Sequence, residues 1–429
     1  MRLRPYLTLL RGNPAFTRLF AAQLISFAGD WFATVALLGL ALELTGSPAI
    51  ASLLLVVQTG AFALASPLAG VLADRYDRRT LMVAADLARV PIALAFLLAR
   101  DPGTLWIAFV AAALLALGGA VFEPTSSASL PNLVEEHELP EANVLIGSAW
   151  GTMLAVGAAL GGLVAATFGR DLAFAVNAAS FLASALLIVG IRRSFSEARI
   201  PSSSRAADDG QRGGVLESIR SVLRFARGNR TLAALLLSKT TFGVGTGVVV
   251  MLAIFGRDVF GAGDAGIGIL FAARGLGALT GPFLVRSLVG TSERGLIGGI
   301  AASFVIFAVC YGLLPLAPIL PLAALAVFGG HLGGGAQWTL SSYGLQRAAP
   351  DAIRGRIFSF DYGLVTLVIT FSTLIAGLLA ERVSPAMTVW TMVGLAGAAA
   401  IGWIAFSRPV WRRPDRSRPD GAPAAGPGG

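Results

Sequence analysis

The chain has 429 residues, a formal net charge of +9 and only 13% charged residues, with a mean hydropathy of +0.74. Soluble domains carry roughly 25% charge to cover their surface, so this composition excludes a water-covered globule. The apolar residues fall in long blocks instead of a narrow helical stripe, which specifies an integral membrane protein.

A span needs ~20 mostly apolar residues to cross about 30 Å of hydrocarbon. Such blocks fall at 18–42, 49–72, 81–99, 104–130, 146–168 and 172–191, then at 232–255, 265–288, 295–314, 318–341, 357–380 and 386–406. The first is too long for a signal-peptide core and lacks a small-residue cleavage site, so it is retained as a span. None alternates as a barrel strand does. The expectation is an all-α integral membrane protein with twelve transmembrane helices.

Of the 33 basic residues, 26 fall on one side of that topology. They lie in the N-terminus, near 75–79, 286–294 and 347–356, in 192–230 and in the C-terminal tail. Only Arg100, Arg170, Arg257 and Arg382 fall on the other side, while Arg89, Lys239 and Arg274 lie within spans. The positive-inside rule then puts both termini in the cytoplasm, in a plasma (cell inner) membrane. The basic excess is a topology signal, so no nucleic-acid partner is expected. A single cysteine, Cys310, allows no intramolecular disulfide and reads as a small buried hydrophobe.

Residues 192–230 form the one long internal linker. A polar run at Ser202–Arg205 gives way to Val215–Phe225, where apolar residues at helical spacing alternate with arginines, as in a helix lying on the membrane surface. The linker separates six spans from six, and an internal repeat is present at an offset of 215. Ala63–Leu68 matches Ala278–Phe283, Leu81 falls opposite Leu296, and Ser126, Ser127 and Leu130 fall opposite Ser341, Ser342 and Leu345. Arg11-Gly12-Asn13 recurs one residue late as Arg227-Gly228-Asn229. The expected organisation is 1–191 and 231–407 as parallel six-helix repeats, 192–230 as linker, and 408–429 as a disordered basic tail rich in proline and glycine. Repeated halves of this kind place a substrate site between them near the bilayer midplane.

The second and third spans are joined by Gly70-Val71-Leu72-Ala73-Asp74-Arg75-Tyr76-Asp77-Arg78-Arg79. This resembles the loop signature of the major facilitator superfamily, with Asp77 where the family usually has glycine. Ser292-Glu293-Arg294 is a degraded copy in the second repeat. Further segments resemble the macrolide-efflux and enterobactin-exporter-like branch. They are Gly29-Asp30-Trp31, Ala85-Asp86-Leu87-Ala88-Arg89, Phe122-Glu123-Pro124, Leu130-Pro131 and Arg354-Gly355-Arg356. The resemblance covers nearly all of 10–405 and implies the major facilitator fold, transport by alternating access and no cofactor. Independently of family, Asp74 at the end of a span can pair with Arg75, Arg78 and Arg79 or meet the positive end of a neighbouring helix. Gly70, Asp74, Arg75, Arg78, Arg79, Asp86, Arg89, Glu123, Arg354 and Arg356 are therefore expected to act as a conformational latch. The competing reading is that the arginines only set topology.

An ionisable residue inside a span costs roughly 2.5–3.5 kcal/mol on insertion scales and marks function. Asp30 and Arg274 lie near mid-depth, Asp86, Arg89 and Glu123 a third of the way in, and Lys239 and Asp361 in the cytoplasmic thirds. Two readings are open. Arg89–Glu123 and Lys239–Asp361 can be buried ion pairs that fasten helices. Alternatively an acid without a permanent partner carries a proton, with Asp30 and Asp361 as the coupling candidates and Arg274, then Lys239, as the cation that Asp30 releases. Substrate-cavity candidates are Gln23, Gln58, Arg274, Lys239, His331, Gln337 and Trp338, although polar and aromatic residues also glue helices together. Gly157-x-x-x-Gly161-Gly162 resembles a family glycine motif and equally serves packing.

Gly261–Gly266 fits G-x-G-x-x-G but sits between spans, without the strand and helix of a dinucleotide site. The single lysine does not follow a glycine, so no P-loop is present, and no spacing suggests a metal. The resulting expectation is a non-enzymatic secondary transporter working as a monomer with lipid, protons and a small partly apolar cargo, most simply an exporter of a drug, antibiotic or siderophore. Uptake of a small solute, or a sensor on the same scaffold, are the alternatives.

Overall fold

Local side-chain chemistry sets where the helices begin. Asn13 accepts a hydrogen bond from the backbone N–H of Phe16 at 3.0 Å and Asn229 one from Leu232 at 3.1 Å, each satisfying an end-of-helix donor. Asp77 caps in the same way onto Thr80 at 2.8 Å, and Ser292 onto Gly295 at 3.1 Å. These are corresponding positions of the repeat. Asp77, the departure from the loop signature, is thus an N-cap that glycine would supply less well.

A computed structural model describes residues 4–195, 215–288, 292–350 and 353–411. Among them the α-helices are α1 (Arg4–Gly12), α2 (Pro14–Thr45), α3 (Pro48–Arg75), α4 (Arg78–Leu94), α5 (Leu105–Leu133), α6 (Leu139–Phe168), α7 (Arg170–Val189), α8 (Val215–Gly228), α9 (Arg230–Gly245), α10 (Val248–Ile254), α11 (Gly263–Leu288), α12 (Glu293–Leu313), α13 (Leu320–Ala348), α14 (Arg354–Ala380) and α15 (Pro385–Trp411). α3 to α7 start at Pro48, Arg78, Leu105, Leu139 and Arg170. α11 to α15 start 215 residues later in every case, at Gly263, Glu293, Leu320, Arg354 and Pro385. The sequence repeat is a structural repeat.

Among the described residues eleven helical segments are long and apolar enough to cross a bilayer by themselves, with α9, α10 and the π turn after them running on as one, Arg230–Val259. α13 is the twelfth. Its glycines, His331 and Gln337 lower its hydropathy, but it occupies the repeat position of α5 and packs between α11 and α12. The helices overrun the apolar blocks at both ends, because backbone hydrogen bonding continues to the cap after the hydrocarbon stops. α6 therefore starts at Leu139 instead of 146, and α15 runs to Trp411, past the expected start of the tail at 408. Residues 196–214 of the linker, residues 412–429 of the tail, and the side chains of Gly70 and Asp74 lie outside the described part.

Within the first repeat α2 packs on α6 and α7, α3 on α5, and α4 on α5 and α7. Within the second, α13 packs on α11 and α12, and α9 on α14 and α15. Two seams join the repeats, α6 against α11 and α14 against α3, and the repeat converts each seam into the other. At the first seam a Cβ on Gly162 would stand 2.7 Å from Gly268 Cα, so the backbones touch where glycine alone fits. Outward faces present Leu186, Val305, Leu325 and Ile401, an apolar surface suited to lipid.

Candidate transport site

A cavity of about 330 Å³ lies between the repeats at mid-depth, lined by α2, α3, α5, α6, α7, α10, α11 and α14 together with Arg89 of α4 and Thr246 between α9 and α10. The first repeat supplies the acids. Asp30 and Glu123 reach the cavity, with Arg89 beside them. Arg89 is held from behind: its guanidinium bonds Asp86, which also accepts from Ser184 Oγ at 2.6 Å, and lies 4.1 Å from the centroid of Phe181. Gly118 makes room for it, since a Cβ there would come within 2.7 Å of the Arg89 stem. Asp86 is fully buried, so the pair forms a fixed, charge-balanced base. Asp30 stands 4.0 Å from Arg89 with its side chain 38% exposed, an attraction without a closed hydrogen bond. Among the described residues no cation lies within ion-pair distance of Glu123.

The sequence offered Arg89–Glu123 as one pair and Arg274 as the cation opposite Asp30. The structure instead pairs Arg89 with Asp86, one helical turn earlier on the same helix, and gives Asp30 the free side of that guanidinium. Helical spacing favours this choice, because residues three apart share a face.

The second repeat supplies Arg274, whose Nε donates to His331 Nε2 at 3.0 Å. A guanidinium only donates, so His331 Nε2 accepts and the ring proton sits on Nδ1, facing the Tyr311 hydroxyl at 2.6 Å. Trp31, Trp150 and Phe271 ring the guanidinium with centroids at 6.0, 5.9 and 5.8 Å. No carboxylate pairs with Arg274 among the described residues.

The other charged pair of the second repeat, Lys239–Asp361, is sealed. The two side chains are 4% and 2% exposed, bond to each other, and place the ammonium 4.9 Å from the Trp338 ring. Neither lines the cavity. Of the expected cavity residues, Gln58 and Arg274 line it, whereas His331 stands behind Arg274. Gln23 is buried off the cavity, and Gln337 donates to Ser238 beside Lys239 at 3.3 Å. Sequence reasoning missed Trp150, Phe271 and Tyr311, aromatics that nothing in the sequence separates from ordinary packing residues.

Arg78 and Arg79 of the signature loop bond within the first repeat. Arg78 donates to Ala128 O at 2.6 Å and Arg79 to Val189 O, closing the ends of α5 and α7. Arg354 donates to Ala349 O at 3.3 Å ahead of α14. A cross-repeat clasp sits at the opposite end of the bundle, which the sequence reading left unassigned. Arg170 grips Asp264 with Nε–Oδ2 at 2.7 Å and Nη2–Oδ1 at 3.1 Å, and Glu43 at 2.8 Å. Glu381 accepts from Ser47 Oγ and from Ala49 N–H at 3.1 Å. The Gly261–Gly266 run is the turn that presents Asp264, with φ of 63° at Gly261 and 57° at Gly263. Gly157 and Gly161 press on α2, and Gly162 on α11. Among the described residues no cluster suited to a metal is present.

A family model described as "Transmembrane secretion effector" matches residues 8–419. The putative bacilysin exporter BacE of Bacillus subtilis is 27% identical over 89% of this chain and 93% of its own length. The enterobactin exporter EntS of Shigella flexneri is 27% identical over 82% and 81%. An MFS-type transporter of Bacillus subtilis, YfiS, is 28% identical across 51% of each chain. In fold the chain is similar to a bacterial homologue of the lysosomal transporter Spinster, solved inward-facing and unoccupied, at a TM-score of 0.71 and 15% identity over 92% of this chain and 96% of that one.

Proposed function

The chain belongs to the transmembrane secretion effector family of major facilitator transporters, and we propose that it exports a small, partly apolar molecule in exchange for protons. The observation that carries this reading is the mid-depth cavity between the repeats, with Asp30 half-exposed beside Arg89 and with Glu123 lacking an ion partner among the described residues. Acids facing a cavity inside a bilayer are the usual carriers of protons. Asp30 with Glu123 is the coupling site. Asp361, off the cavity and bonded to Lys239, fastens α9 to α14. The relatives' export of an antibiotic and a siderophore supports the direction of transport.

The end that carries both termini faces the cytoplasm, on the distribution of arginines. The Arg170–Asp264 clasp then closes the outer end, and the two repeats rock about their seams once it opens. Arg78 and Arg79 keep the first repeat rigid during that motion. The protein works as a monomer, since cavity and both seams lie within one chain.

Asp30→Asn, reconstituted in vesicles, tests the coupling. Counterflow exchange of cargo is expected to survive, while accumulation driven by an imposed pH gradient is lost. A full response to the gradient would move the proton site to Glu123. Reporter fusions after residue 201 and at the C-terminus should both read cytoplasmic, and an outside reading at either one overturns the orientation.

A further inference from the structure

Arg274 is a half-buried cation with an unfinished coordination shell. Its Nε is used by His331, yet among the described residues neither terminal nitrogen has a hydrogen-bond partner and no acid pairs with it. It lines the cavity, so those nitrogens face the space that cargo would fill. A guanidinium offers donors in a planar fork that fits a carboxylate with two parallel bonds. Leaving such a group unpaired at mid-bilayer is costly, and structures keep it there for a partner that comes and goes.

The surroundings narrow that partner further. Trp31 of the first repeat and Trp150 stand edge to face, 6.1 Å apart at 70°, and Phe271 leans on Trp31 at 6.0 Å. These rings form an apolar face of the cavity beside the guanidinium. The Tyr311–His331 pair fixes the Arg274 stem from the rear, because the Nδ1 proton is engaged and Nε2 is left only able to accept. His331 and Tyr311 are therefore positioning residues.

We infer that Arg274 with Trp31, Trp150 and Phe271 is an anion subsite, and that the cargo carries a carboxylate or a similarly delocalised oxyanion attached to a flat apolar ring. Such a group completes the guanidinium fork while its ring lies against that aromatic face. Because Trp31 and Trp150 belong to one repeat and Arg274 to the other, the bound anion bridges both. The inference rests on the transport reading for its biological meaning, but it is a statement about equilibrium binding and needs no gradient.

The test uses the full chain in lipid nanodiscs at constant pH, with 2-naphthoate and its uncharged partner 2-naphthamide as probes. Quenching of tryptophan fluorescence reports occupancy, and Trp31→Phe shows which part of the signal comes from the aromatic face. Wild type should prefer the naphthoate by about tenfold or more, corresponding to about 1.4 kcal/mol. Arg274→Gln should remove the preference while leaving naphthamide binding in place, and Arg274→Lys should keep part of it. Equal binding of the two probes by wild type, or no saturable naphthoate binding at millimolar concentration, overturns the subsite. So does a preference that persists in Arg274→Gln. If that variant does not fold, the wild-type ratio and Arg274→Lys still decide. Loss of gradient coupling in Asp30→Asn bears on the transport mechanism alone, so the two readings fail separately.

Discussion

The two repeats share a backbone plan and differ in where they keep their charges. At the position of Arg89 the second repeat has Phe304, which is buried against Trp403, and at the position of Glu123 it has Trp338. The first repeat thus opens an acid–base cluster into the cavity, while the second keeps its own pair, Lys239–Asp361, buried off the cavity beside Trp338. Duplication preserved caps, helix starts and seams, because these maintain the fold. The cavity chemistry is free to diverge, since one wall carries Asp30, Arg89 and Glu123 and the other Arg274.

This asymmetry predicts unequal consequences for removing each pair. The largest effect is expected for Arg89→Leu, which leaves Asp86 fully buried beside no cation. Breaking a buried pair on one side costs about 3–5 kcal/mol, so membrane abundance and thermal midpoint should both fall. Replacing both Arg89 and Asp86 by leucine should restore folding, as buried pairs exchanged for apolar residues are near neutral, yet gradient-driven transport should stay lost. The equivalent double change in the second repeat, Lys239→Met with Asp361→Leu, should also fold and should keep its response to a pH gradient. If it loses that response, Asp361 belongs to the proton path and the division between the repeats collapses.

A smaller effect is expected at the clasp. Asp264→Asn removes a bidentate, charge-assisted contact worth about 1.5–3 kcal/mol. Spin labels at Thr167 and Val259, exposed positions on opposite repeats at that end, should then report longer and broader distances. An unchanged distribution would show that the seams alone hold the end closed. The smallest effect belongs to the caps. Asp77→Ala should cost about 1 kcal/mol of stability and Asp77→Gly only a few tenths, with transport intact in both. A severe transport defect in Asp77→Gly at normal abundance would give the loop a role in motion beyond starting α4.

The twelve spans, the repeat and the family were legible before any coordinates, because each is written in local quantities. Apolar length sets a span, arginine placement sets orientation, and Asn13 with Asn229 or Asp77 with Ser292 mark the same helix start twice. Asp30, Arg89, Glu123 and Arg274 also stood out, since a charge inside an apolar block is conspicuous wherever it points. What those charges face was settled by packing alone. Arg89 turns to Asp86 instead of Glu123, and Lys239 and Asp361 turn to each other. Arg274 meets His331 across two helices, and Arg170 of one repeat finds Asp264 of the other. Partnerships of this kind depend on the rotation of each helix about its own axis and on which backbones come close, as at Gly162 and Gly268. In a helix whose faces are nearly all apolar, lipid-facing and core-facing sides carry the same residues, so hydropathy holds no record of that rotation. It is fixed by small-residue contacts and polar pairing between segments some hundred residues apart, which exist only once the helices have packed.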